Sequence, residues 1–473
     1  MRSRKPRAAS QATTNRPDRL STEDGDPADP DRAASFTIAA IATAPAACGV
    51  GILRVSGPAA MAATLRLAPR VPRTPTPRRA YFTELTDGTG AALDQGLWIY
   101  FSAPHSYTGE DVVELQTHGS PRLLAMLQSE LVQEGRVRLA EPGEFTRRAF
   151  LNGRIDLARA EAIADLVAAD SEAAVRAAAR QMQGALSARV HALREPLAAL
   201  RAELEGALNF PDEADDVDWD LERRLAPIER DARELLGAAD RGRLIRRGAR
   251  VVLFGPVNAG KSTLFNRLLR EPRALVDSEP GTTRDALEGR LELSGLGVTL
   301  VDTAGLRPNP DRLEALGIQR ARDALRGADL ALLILPPDAS VEQAAQWARE
   351  AEGIATVRVR SKSDLATARP FVGELAVSGL TGAGLERLER EIQDRLWAEG
   401  APQAVAVTSE RHAESLRRAV DSVDRAISAN RLSTLEVVSG ELGLAVEALG
   451  EITGENAPDE LLDAIFRRFC VGK

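Results

Sequence analysis

The sequence predicts a multidomain protein, with an α+β domain on the N-terminal side and an α/β domain inserted into an all-α domain. Two observations predict this fold class. At 473 residues the chain is too long for a single compact core. The spacing of its apolar residues also changes along the chain, from short strand-like runs to helical spacing, then to strands alternating with helices, and finally back to helical spacing.

Five segments follow from these changes. Residues 1–35 are rich in Arg, Asp, Ser, Pro and Ala, so we expect a disordered extension, and their acids are untypical of a transit peptide. Residues 36–152 hold short β-type runs broken by Gly and Pro and form the α+β domain. Residues 153–247 and 399–473 carry apolar residues at helical spacing and form two parts of one helical domain. Residues 248–398 alternate buried strands with helices, which is typical of a doubly wound parallel sheet.

The composition limits the classes of function. Hydrophobic residues make up 44% of the chain and aromatic residues 4%, which favours helices packed through small aliphatic side chains. A formal net charge of −8 argues against a protein that coats nucleic acid, so any RNA contact is expected to be local. Cys48 and Cys470 give no disulfide framework and indicate a reducing cytoplasm. The histidines lack metal-ligand spacing and no apolar stretch is long enough for a bilayer, so we predict neither zinc nor a membrane span.

A phosphate-binding loop is predicted where the α/β pattern begins. Residues 255–262 read G-P-V-N-A-G-K-S and match G-x-x-x-x-G-K-[ST], directly after an apolar strand and before a helix. Backbone N–H groups of such a loop and the helix N-terminus bind phosphates. Lys261 is expected to reach the β- and γ-phosphates, and Ser262 to ligate Mg²⁺. Alone, the motif could occur by coincidence. Its position between a strand and a helix favours a true phosphate-binding loop.

Two motifs follow in the order of switch regions. G-T-T-R-D at residues 281–285 lies at the distance of a switch I loop, where Thr283 is expected at the Mg²⁺; standing alone, it would be taken as a turn or helix cap. D-T-A-G at residues 302–305 leaves an apolar strand, so Asp302 is expected to hold Mg²⁺ through water and Gly305 to bond the γ-phosphate.

Guanine is the predicted base, although the base-reading motif is altered. Ser361-Lys-Ser-Asp364 stands where the usual motif is Asn-Lys-x-Asp. Asp364 can accept from the N1 and N2 donors of guanine, Lys362 can cover the ring, and Ser378 would back it, so we expect GTP as the substrate with looser affinity. The predicted GTP-binding residues are Asn258, Ala259, Gly260, Lys261, Ser262, Thr263, Asp277, Ser278, Glu279, Pro280, Gly281, Thr282, Thr283, Asp302, Thr303, Ala304, Gly305, Ser361, Lys362, Asp364 and Ser378.

Further motifs cover the rest of the chain. They are T-I-A-A-I-A-T at residues 37–43, G-I-L-R-V-S-G at 51–57, S-Y-T-G-E-D-V-V-E-L at 106–115, P-G-E-F-T-R-R-A-F-L-N-G-R at 142–154, L-G-E-I-T-G-E at 449–455 and the terminal F-C-V-G-K. With these motifs the chain resembles the MnmE/TrmE family of tRNA uridine-modification GTPases across nearly all of residues 36–473.

The resemblance implies a folate-binding N-terminal domain that also forms a homodimer, a two-segment helical domain and an inserted Ras-like G domain. Members act with a FAD-dependent partner, MnmG/GidA, to add a carboxymethylaminomethyl group at C5 of the wobble uridine of certain tRNAs. A 5-formyl- or 5,10-methylene-tetrahydrofolate supplies the one-carbon unit. The family's folate contacts fall on Arg54, Glu114, Arg154 and Lys473. Without the motifs, Glu114 would be a solvated strand residue and Arg154 a surface charge.

The resemblance also implies a K⁺ ion beside the phosphates, which supplies charge that other GTPases take from an arginine finger. Its ligands fall on Asn258, Asp277, Glu279 and Thr282; alone, Asn258 would more often be a turn residue. Glu314 falls on the family's glutamate after switch II, and we expect it to orient or to deprotonate the hydrolytic water when two G domains meet around K⁺.

Three features keep two interpretations each. Cys470 is a catalytic nucleophile or one-carbon handler, or equally a small residue closing a packed helix. The acidic run at residues 211–220 is a solvated loop or, second, a partner contact. A solvated linker is favoured over contact with tRNA phosphates for Arg241, Arg243, Arg246, Arg247 and Arg250.

Three functions are compared. The first is an enzyme that couples GTP hydrolysis to tRNA modification. The second is a regulatory or ribosome-assembly GTPase that acts only as a switch, and the third is a folate-binding interaction module whose G domain controls dimer shape. The N-terminal motifs and the terminal C-V-G-K favour the first over the second, since neither belongs on a generic switch protein.

Overall fold

The computed structural model describes residues 36–133, 135–210, 220–269, 274–275, 287–303, 322–365, 371–397, 407–432 and 434–472. These residues form two compact units. The first unit holds the described residues up to Ser106, residues 110–140 and Gly472. The second unit holds the other described residues. In the described part of the chain, no helix has the length and apolar character that crossing a membrane requires.

The first unit is built on a six-stranded sheet. Its strands are β1 (Thr37–Ile41), β2 (Cys48–Ser56), β3 (Ala80–Thr86), β4 (Ala92–Phe101), β5 (Val112–Gly119) and β6 (Val137–Leu139). The strand order is β3-β4-β5-β2-β1-β6, and neighbours are antiparallel except β1 with β6. Side chains alternate between the faces of a sheet. The apolar side chains pack against α1 (Ala60–Leu67) and α2 (Pro121–Val132) in one core.

Polar groups in that core have partners. The indole N–H of Trp98, which is fully buried, donates to the Thr64 hydroxyl at 3.1 Å. Helix α2 begins where Ser120 accepts a hydrogen bond from the Leu123 N–H, and Pro121 occupies the first helical position. Both are typical of a helix start.

The second unit begins with helices. They are α3 (Glu144–Leu151), α4 (Leu157–Ala168), α5 (Glu172–Met182), α6 (Ala185–Asn209), α7 (Leu221–Gly237) and α8 (Ala239–Arg247). Leu186, Val190, Leu193, Leu197 and Leu200 form the buried stripe of α6, at the helical spacing that the sequence shows.

A seven-stranded sheet follows. Its strands are β7 (Ala249–Phe254), β8 (Ala274–Leu275), β9 (Leu287–Leu293), β10 (Leu296–Asp302), β11 (Leu330–Leu335), β12 (Thr356–Arg360) and β13 (Glu374–Ala376), in the order β13-β12-β11-β7-β10-β9-β8. Helices α9 (Lys261–Leu269), α10 (Val341–Ala348) and α11 (Leu385–Trp397) accompany it. β7 and β11 are buried along nearly their whole length, as expected of strands covered on both faces.

The chain then returns to helices. These are α12 (Glu410–Leu432), α13 (Leu435–Thr453) and α14 (Asp459–Phe466). Leu416, Val423, Leu442 and Leu449 from this segment share one hydrophobic core with the stripe on α6. The predicted fold class is therefore confirmed: the α/β part interrupts a helical part whose two segments pack together.

One detail of the sheet was predicted wrongly. The sheet is not wholly parallel, because β9 is antiparallel to β10, and β8 to β9. Ser294 and Gly295 join β9 to β10 and both have positive φ, 50° and 86°. That backbone suits a two-residue hairpin, whose twist matches the strands it connects. The pair Ser-Gly between apolar runs was the available sequence signal.

Candidate functional site

The phosphate loop connects β7 to α9. Gly255 has a φ of 134°, and a Cβ there would lie 2.3 Å from the Ile334 carbonyl oxygen, so the position requires glycine. Gly260 also has positive φ, at 93°. Lys261 begins α9, and its Nζ donates to the carbonyl oxygens of Gly255 and Pro256, each at 2.8 Å. The lysine ammonium therefore lies across the loop at the N-terminus of the helix.

Two of the three residues predicted at Mg²⁺, Ser262 and Asp302, are in contact, and the third, Thr283, lies outside the described residues. The Ser262 hydroxyl donates to Asp302 Oδ2 at 2.6 Å. Asp302 is fully buried at the end of β10, and β10 pairs with β7 so that Asp302 faces Leu253. Thr303 continues from it and donates through its hydroxyl to the Leu253 carbonyl at 2.9 Å. A hydroxyl and a carboxylate are oxygen donors of the kind that Mg²⁺ prefers.

The predicted base-reading segment, residues 361–364, lies against the phosphate loop. The Ser361 hydroxyl is 2.5 Å from the carbonyl oxygen of Ala259 and 3.0 Å from that of Leu335, and Ser361 is buried. Ser361 therefore connects the end of β11 to the loop residue that precedes Gly260. A Cβ on Gly260 would lie 4.0 Å from the Lys362 side chain, so Lys362 also approaches the loop.

Asp364 is hydrogen-bonded to Ser378, in the loop that follows β13. The Ser378 hydroxyl donates to Asp364 Oδ1 at 2.6 Å, and the Ser378 oxygen in turn accepts the Thr381 N–H at 3.1 Å. Ser378 is fully buried, while Asp364 is exposed. A fixed neighbour therefore orients the Asp364 carboxylate at the surface. Gly379 packs against Thr263, which is exposed in the first turn of α9.

Asn258 adopts an unusual backbone. Its φ is 61°, in the left-handed region that asparagine tolerates better than most residues. Asn258 and its neighbour Val257 are exposed, and Ala259 is buried. Asn258 therefore has the backbone of a turn residue and lies at the surface of the loop, and its assignment as a K⁺ ligand stays a prediction.

Several predicted site residues lie outside the described residues. They are Asp277, Ser278, Glu279, Pro280, Gly281, Thr282, Thr283, Ala304, Gly305, Glu314 and Lys473, and the acidic run at residues 211–219 lies there too. Their assignments stay predictions.

Two predicted folate residues are paired across strands of the first unit. Arg54 on β2 faces Glu114 on β5, with Nε and Nη2 of Arg54 at 3.0 and 2.9 Å from Glu114 Oε1. The exposed fractions of the two side chains are 22% and 15%. Arg54 Nη1 also donates to the Gly472 carbonyl at 3.4 Å, so the last described residue lies on this sheet. Arg154 belongs to the second unit and is exposed, in the segment after α3.

The two cysteine thiols are exposed, which bears on the two interpretations of Cys470. Cys470 is exposed, whereas its neighbour Phe469 is buried and packs on Phe466 with ring centroids 5.5 Å apart. Phe469, and not Cys470, therefore closes the packing after α14, so the packing explanation for Cys470 is wrong. Its catalytic assignment stays a prediction.

The arginines around α8 are engaged in ion pairs. Arg246 pairs with Asp165 at 2.8 Å, Arg247 with Asp329 at 2.6 Å, and Arg250 with Glu288 at 2.9 Å. Arg243 contacts Glu410 at 2.6 Å and also contacts Asp240. The solvated linker that was favoured for this segment is therefore wrong, because Arg241, Arg243, Arg246 and Arg247 lie on α8 and Arg250 lies on β7. The ion pairs also argue against the alternative of a free phosphate-binding cluster.

A buried polar network next to α8 was not predicted. Glu161 on α4 accepts from Arg411 at 2.7 Å and lies 2.5 Å from Nε2 of His412, which is fully buried. Burial raises the pKa of Glu161, but attraction to His412 and Arg411 outweighs it and lowers the pKa well below the usual range. Nearby, burial raises the pKa of Asp165, against the opposing effect of Arg246. Because Glu161 and Arg411 are 250 positions apart in sequence, no local motif points to them.

Comparison with known proteins identifies relatives over nearly the whole chain. A family model described as "GTP-binding protein TrmE N-terminus" matches residues 37–154, and one described as "MnmE helical domain" matches residues 157–470. The chain is 60% identical over 439 residues to tRNA modification GTPase MnmE of Myxococcus xanthus (strain DK1622), covering 93% of this chain and 99% of that protein. It is 41% identical over 449 residues to the protein of the same name from Laribacter hongkongensis (strain HLHK9), covering 92% and 99%.

Two solved structures show a partial likeness. The G domain of the T. maritima FeoB iron transporter is 27% identical and covers 31% of this chain and 98% of that one, with a TM-score of 0.25. Aquifex aeolicus Era Y63A bound to GDP.AlF4- is 21% identical and covers 37% of this chain and 66% of that one, with a TM-score of 0.26.

Proposed function

The chain belongs to the MnmE family of tRNA modification GTPases, and we propose that it couples K⁺-dependent GTP hydrolysis to addition of a carboxymethylaminomethyl group at C5 of the wobble uridine of certain tRNAs. It acts as a cytoplasmic homodimer with a FAD-dependent partner of the MnmG/GidA type. A tetrahydrofolate bound by the first unit donates the one-carbon unit. The observation that carries the GTPase part is the convergence of the phosphate loop, Asp302 and the Ser361–Asp364 segment at one end of the second sheet.

Ser262 and Asp302 hold the proposed Mg²⁺. Their 2.6 Å contact places a hydroxyl and a buried carboxylate beside the phosphate loop, the arrangement expected of a direct ligand and a ligand that acts through water. Mg²⁺ held by these residues would offset negative charge on the phosphates of the nucleotide. Lys261, the first residue of α9, adds a second positive charge at the same place.

Asp364 and Ser378 support guanine as the base. A carboxylate accepts from the N1 and N2 donors of guanine, which adenine lacks, and Ser378 fixes the carboxylate through a 2.6 Å hydrogen bond. Ser361 connects this loop to the phosphate loop through the carbonyl of Ala259. Competition between GTP and ATP measures the preference: equal competition by ATP would contradict it.

In hydrolysis a water attacks the γ-phosphorus, and the bond to the β–γ bridging oxygen breaks with its electron pair staying on the GDP that leaves. The proton of the water passes to the Glu314 carboxylate or to the released phosphate. Glu314 is the proposed group that orients or deprotonates this water. Glu314→Ala is expected to leave GTP binding intact and to abolish turnover, and unchanged turnover would remove Glu314 from the mechanism.

K⁺ dependence gives the main test. Asn258, at the exposed surface of the phosphate loop, is the described member of the proposed K⁺ site, with Asp277, Glu279 and Thr282 as the others. The GTPase rate is measured in K⁺ and in Na⁺, with and without the flavoprotein. We expect K⁺ to accelerate hydrolysis by at least about tenfold, since it replaces an arginine finger that is worth more than that, and Asn258→Ala to lose most of the difference. Equal rates in the two salts would refute the proposed site.

The folate site is tested separately. Glu114 is mostly buried and already holds Arg54, so it is fixed in place to accept from the pterin amino and ring N–H groups. Glu114→Gln is expected to weaken 5-formyl-tetrahydrofolate binding by roughly tenfold or more, the value of one charged hydrogen bond. Glu84→Gln, which breaks the ion pair between Glu84 on β3 and Arg70, is the matched control. If both variants bound folate as the unchanged protein does, the assignment of Glu114 would fail, while the K⁺ test would stand on its own.

A further inference from the structure

A cleft in the second unit lies away from the phosphate loop. Its volume is about 540 Å³, and its lining comes from the end of α3, the start of α4, the start of α6 and the end of α13. Phe150 and Ile155 are its large apolar lining residues, and most of the rest are polar or charged.

The first turn of α6 lines the cleft beside an arginine. Gly184 precedes the helix with a φ of 89°, and no side chain caps the helix start. A Cβ on Gly184 would lie 2.1 Å from Nη2 of Arg159, so the guanidinium group lies directly over the start of the helix. A helix N-terminus carries partial positive charge. Two positive groups therefore meet here. The Asp156 carboxylate already lies 3.2 Å from Arg159 Nε, and an anion bound in the cleft would stabilise the arrangement further.

A buried hydroxyl faces the same place. Ser187, the third residue of α6, lines the cleft and is 3% exposed, and within the described residues its Oγ has no hydrogen-bond partner. A buried polar group without a partner is unfavourable, and most such groups in proteins are satisfied. A bound oxyanion could accept from this hydroxyl and from Arg159 together.

The carboxylates of the cleft are already engaged. Asp156 caps α4 by accepting the Arg159 N–H at 2.8 Å and is 3.2 Å from Arg159 Nε. Glu455 pairs with Arg194 at 2.7 Å and lies 4.0 Å from the His191 ring. In addition, Arg154 lines the rim of the cleft and is exposed.

We propose that this cleft binds a backbone phosphate of the RNA substrate, through Arg159, Ser187 and the N-terminus of α6. Helix N-termini and arginines are common phosphate ligands in nucleic-acid complexes, and they position the RNA without reading its sequence. The rim residues Gly153, Arg154, Ala188 and Glu455 are exposed, so a polymer can reach the site. A small organic ligand would instead favour a mostly apolar, enclosed pocket. The choice of RNA depends on the proposed function; the anion site does not.

Two variants of the full-length protein test the proposal. Ala188→Glu adds a carboxylate at an exposed position in the first turn of α6, where an acidic residue is compatible with the helix. Arg159→Gln removes the guanidinium charge. Ala202→Glu makes the same change at an exposed position farther along the same helix and serves as the control.

Binding of fluorescein-labelled tRNA is measured by anisotropy over a series of KCl concentrations. Arg159→Gln is expected to lower the slope of log affinity against log salt by about 0.7 to 0.9, the loss of one phosphate contact. Ala188→Glu is expected to weaken binding by about tenfold at low salt, through repulsion of a phosphate. Ala202→Glu should bind as the unchanged protein does. A salt slope unchanged by both cleft variants overturns the proposal.

A second measurement separates phosphate from carboxylate. Binding of 5-formyl-tetrahydrofolate to the same variants is expected to be unchanged; a loss confined to folate would assign the cleft to the carboxylates of that ligand and overturn the RNA proposal. The K⁺-dependent GTPase rate, measured on the same samples, reports on the proposed function independently. If the cleft variants kept normal K⁺ stimulation and an unchanged tRNA salt slope, the phosphate site in the cleft would be refuted and the proposed function would not.

Discussion

Glu374→Gln tests whether the strand that leads into the base-reading loop depends on a buried ion pair. Arg360 is the last residue of β12, directly before Ser361, and the exposed fractions of the Arg360 and Glu374 side chains are 0% and 3%. The guanidinium group donates to both carboxylate oxygens of Glu374 at 2.9 Å. It also donates to the carbonyl oxygens of Pro336 at 3.0 Å and Ala339 at 2.7 Å. The arginine thus joins β12, β13 and the segment after β11.

Glutamine preserves the shape of Glu374 and removes its charge. Arg360 would remain buried and charged, with carbonyl dipoles as its main partners. Removing one member of a buried pair costs about 3–5 kcal/mol. The glutamine amide oxygen still accepts one hydrogen bond, so we expect a loss at the lower end of this range, about 3 kcal/mol. This loss corresponds to a roughly hundredfold increase in the equilibrium constant for local opening of β12 and β13.

Hydrogen–deuterium exchange of the full-length protein measures that opening at the amides of β12 and β13. Glu391→Gln is the control, since it breaks an exposed pair with Arg395 four residues along α11. Such a pair contributes less than about 0.5 kcal/mol. If Glu374→Gln exchanged no faster than Glu391→Gln, the buried pair would not stabilise this edge of the sheet.

Three further predictions concern the nucleotide site and the buried network. Asp302→Asn should weaken Mg²⁺-dependent GTP binding by at least about tenfold, since it neutralises the carboxylate next to Ser262; a titration of Mg²⁺ against GTPase rate checks this, and an unchanged midpoint would contradict it. Ser361→Ala should lower GTP affinity by about three- to tenfold, the value of a hydrogen bond to the Ala259 carbonyl, while Ser363→Ala, in the same loop, should not. Folding lowers the pKa of Glu161. The ionised Glu161 carboxylate therefore contributes fully to stability above the unfolded-state pKa of about 4.3, and this contribution is lost as the pH falls through the lower folded-state pKa. The free energy of unfolding of the unchanged protein should therefore exceed that of Glu161→Gln near neutral pH, and the difference should shrink as pH falls below about 4; a constant difference would show that Glu161 acts through its shape.

The predictions that succeeded from sequence depend on local patterns. The phosphate loop is recognisable because Gly255, Lys261 and Ser262 must stand at fixed spacing after a strand, and the structure places them there. Asp302 was expected at the end of a buried strand for the same reason, and it lies there; its role at Mg²⁺ stays a prediction. The stripe on α6 was found because burial on one face of a helix imposes a spacing of three or four residues.

The base-reading serine shows where a motif alone falls short. Comparison with the usual Asn-Lys-x-Asp motif led us to expect looser affinity from Ser361. The structure shows that the shorter side chain still reaches two carbonyl oxygens, of Ala259 and Leu335, because β11 and the phosphate loop both approach it. Whether affinity is lowered remains a prediction, but the contact between the two loops is present. A motif gives the residue type and not the position of the backbone around it.

The contacts that sequence reasoning missed join distant segments. Arg246 and Arg250 look alike in the sequence, as members of one basic cluster, yet Arg246 pairs with Asp165 on α4 and Arg250 with Glu288 on β9. The turn between β9 and β10 likewise contacts α5, where the Ala173 N–H donates to the Gly295 carbonyl at 2.9 Å. No periodicity encodes such pairs, because each depends on how a helix and a sheet edge pack after both have formed. Contact with tRNA phosphates was the less favoured interpretation of that cluster. The cleft beside Arg159 has a stronger physical basis for a phosphate site, because a cation, a helix N-terminus and a buried hydroxyl meet there. Of the cleft carboxylates, Glu455 pairs with Arg194, whereas Asp156 pairs with Arg159 itself.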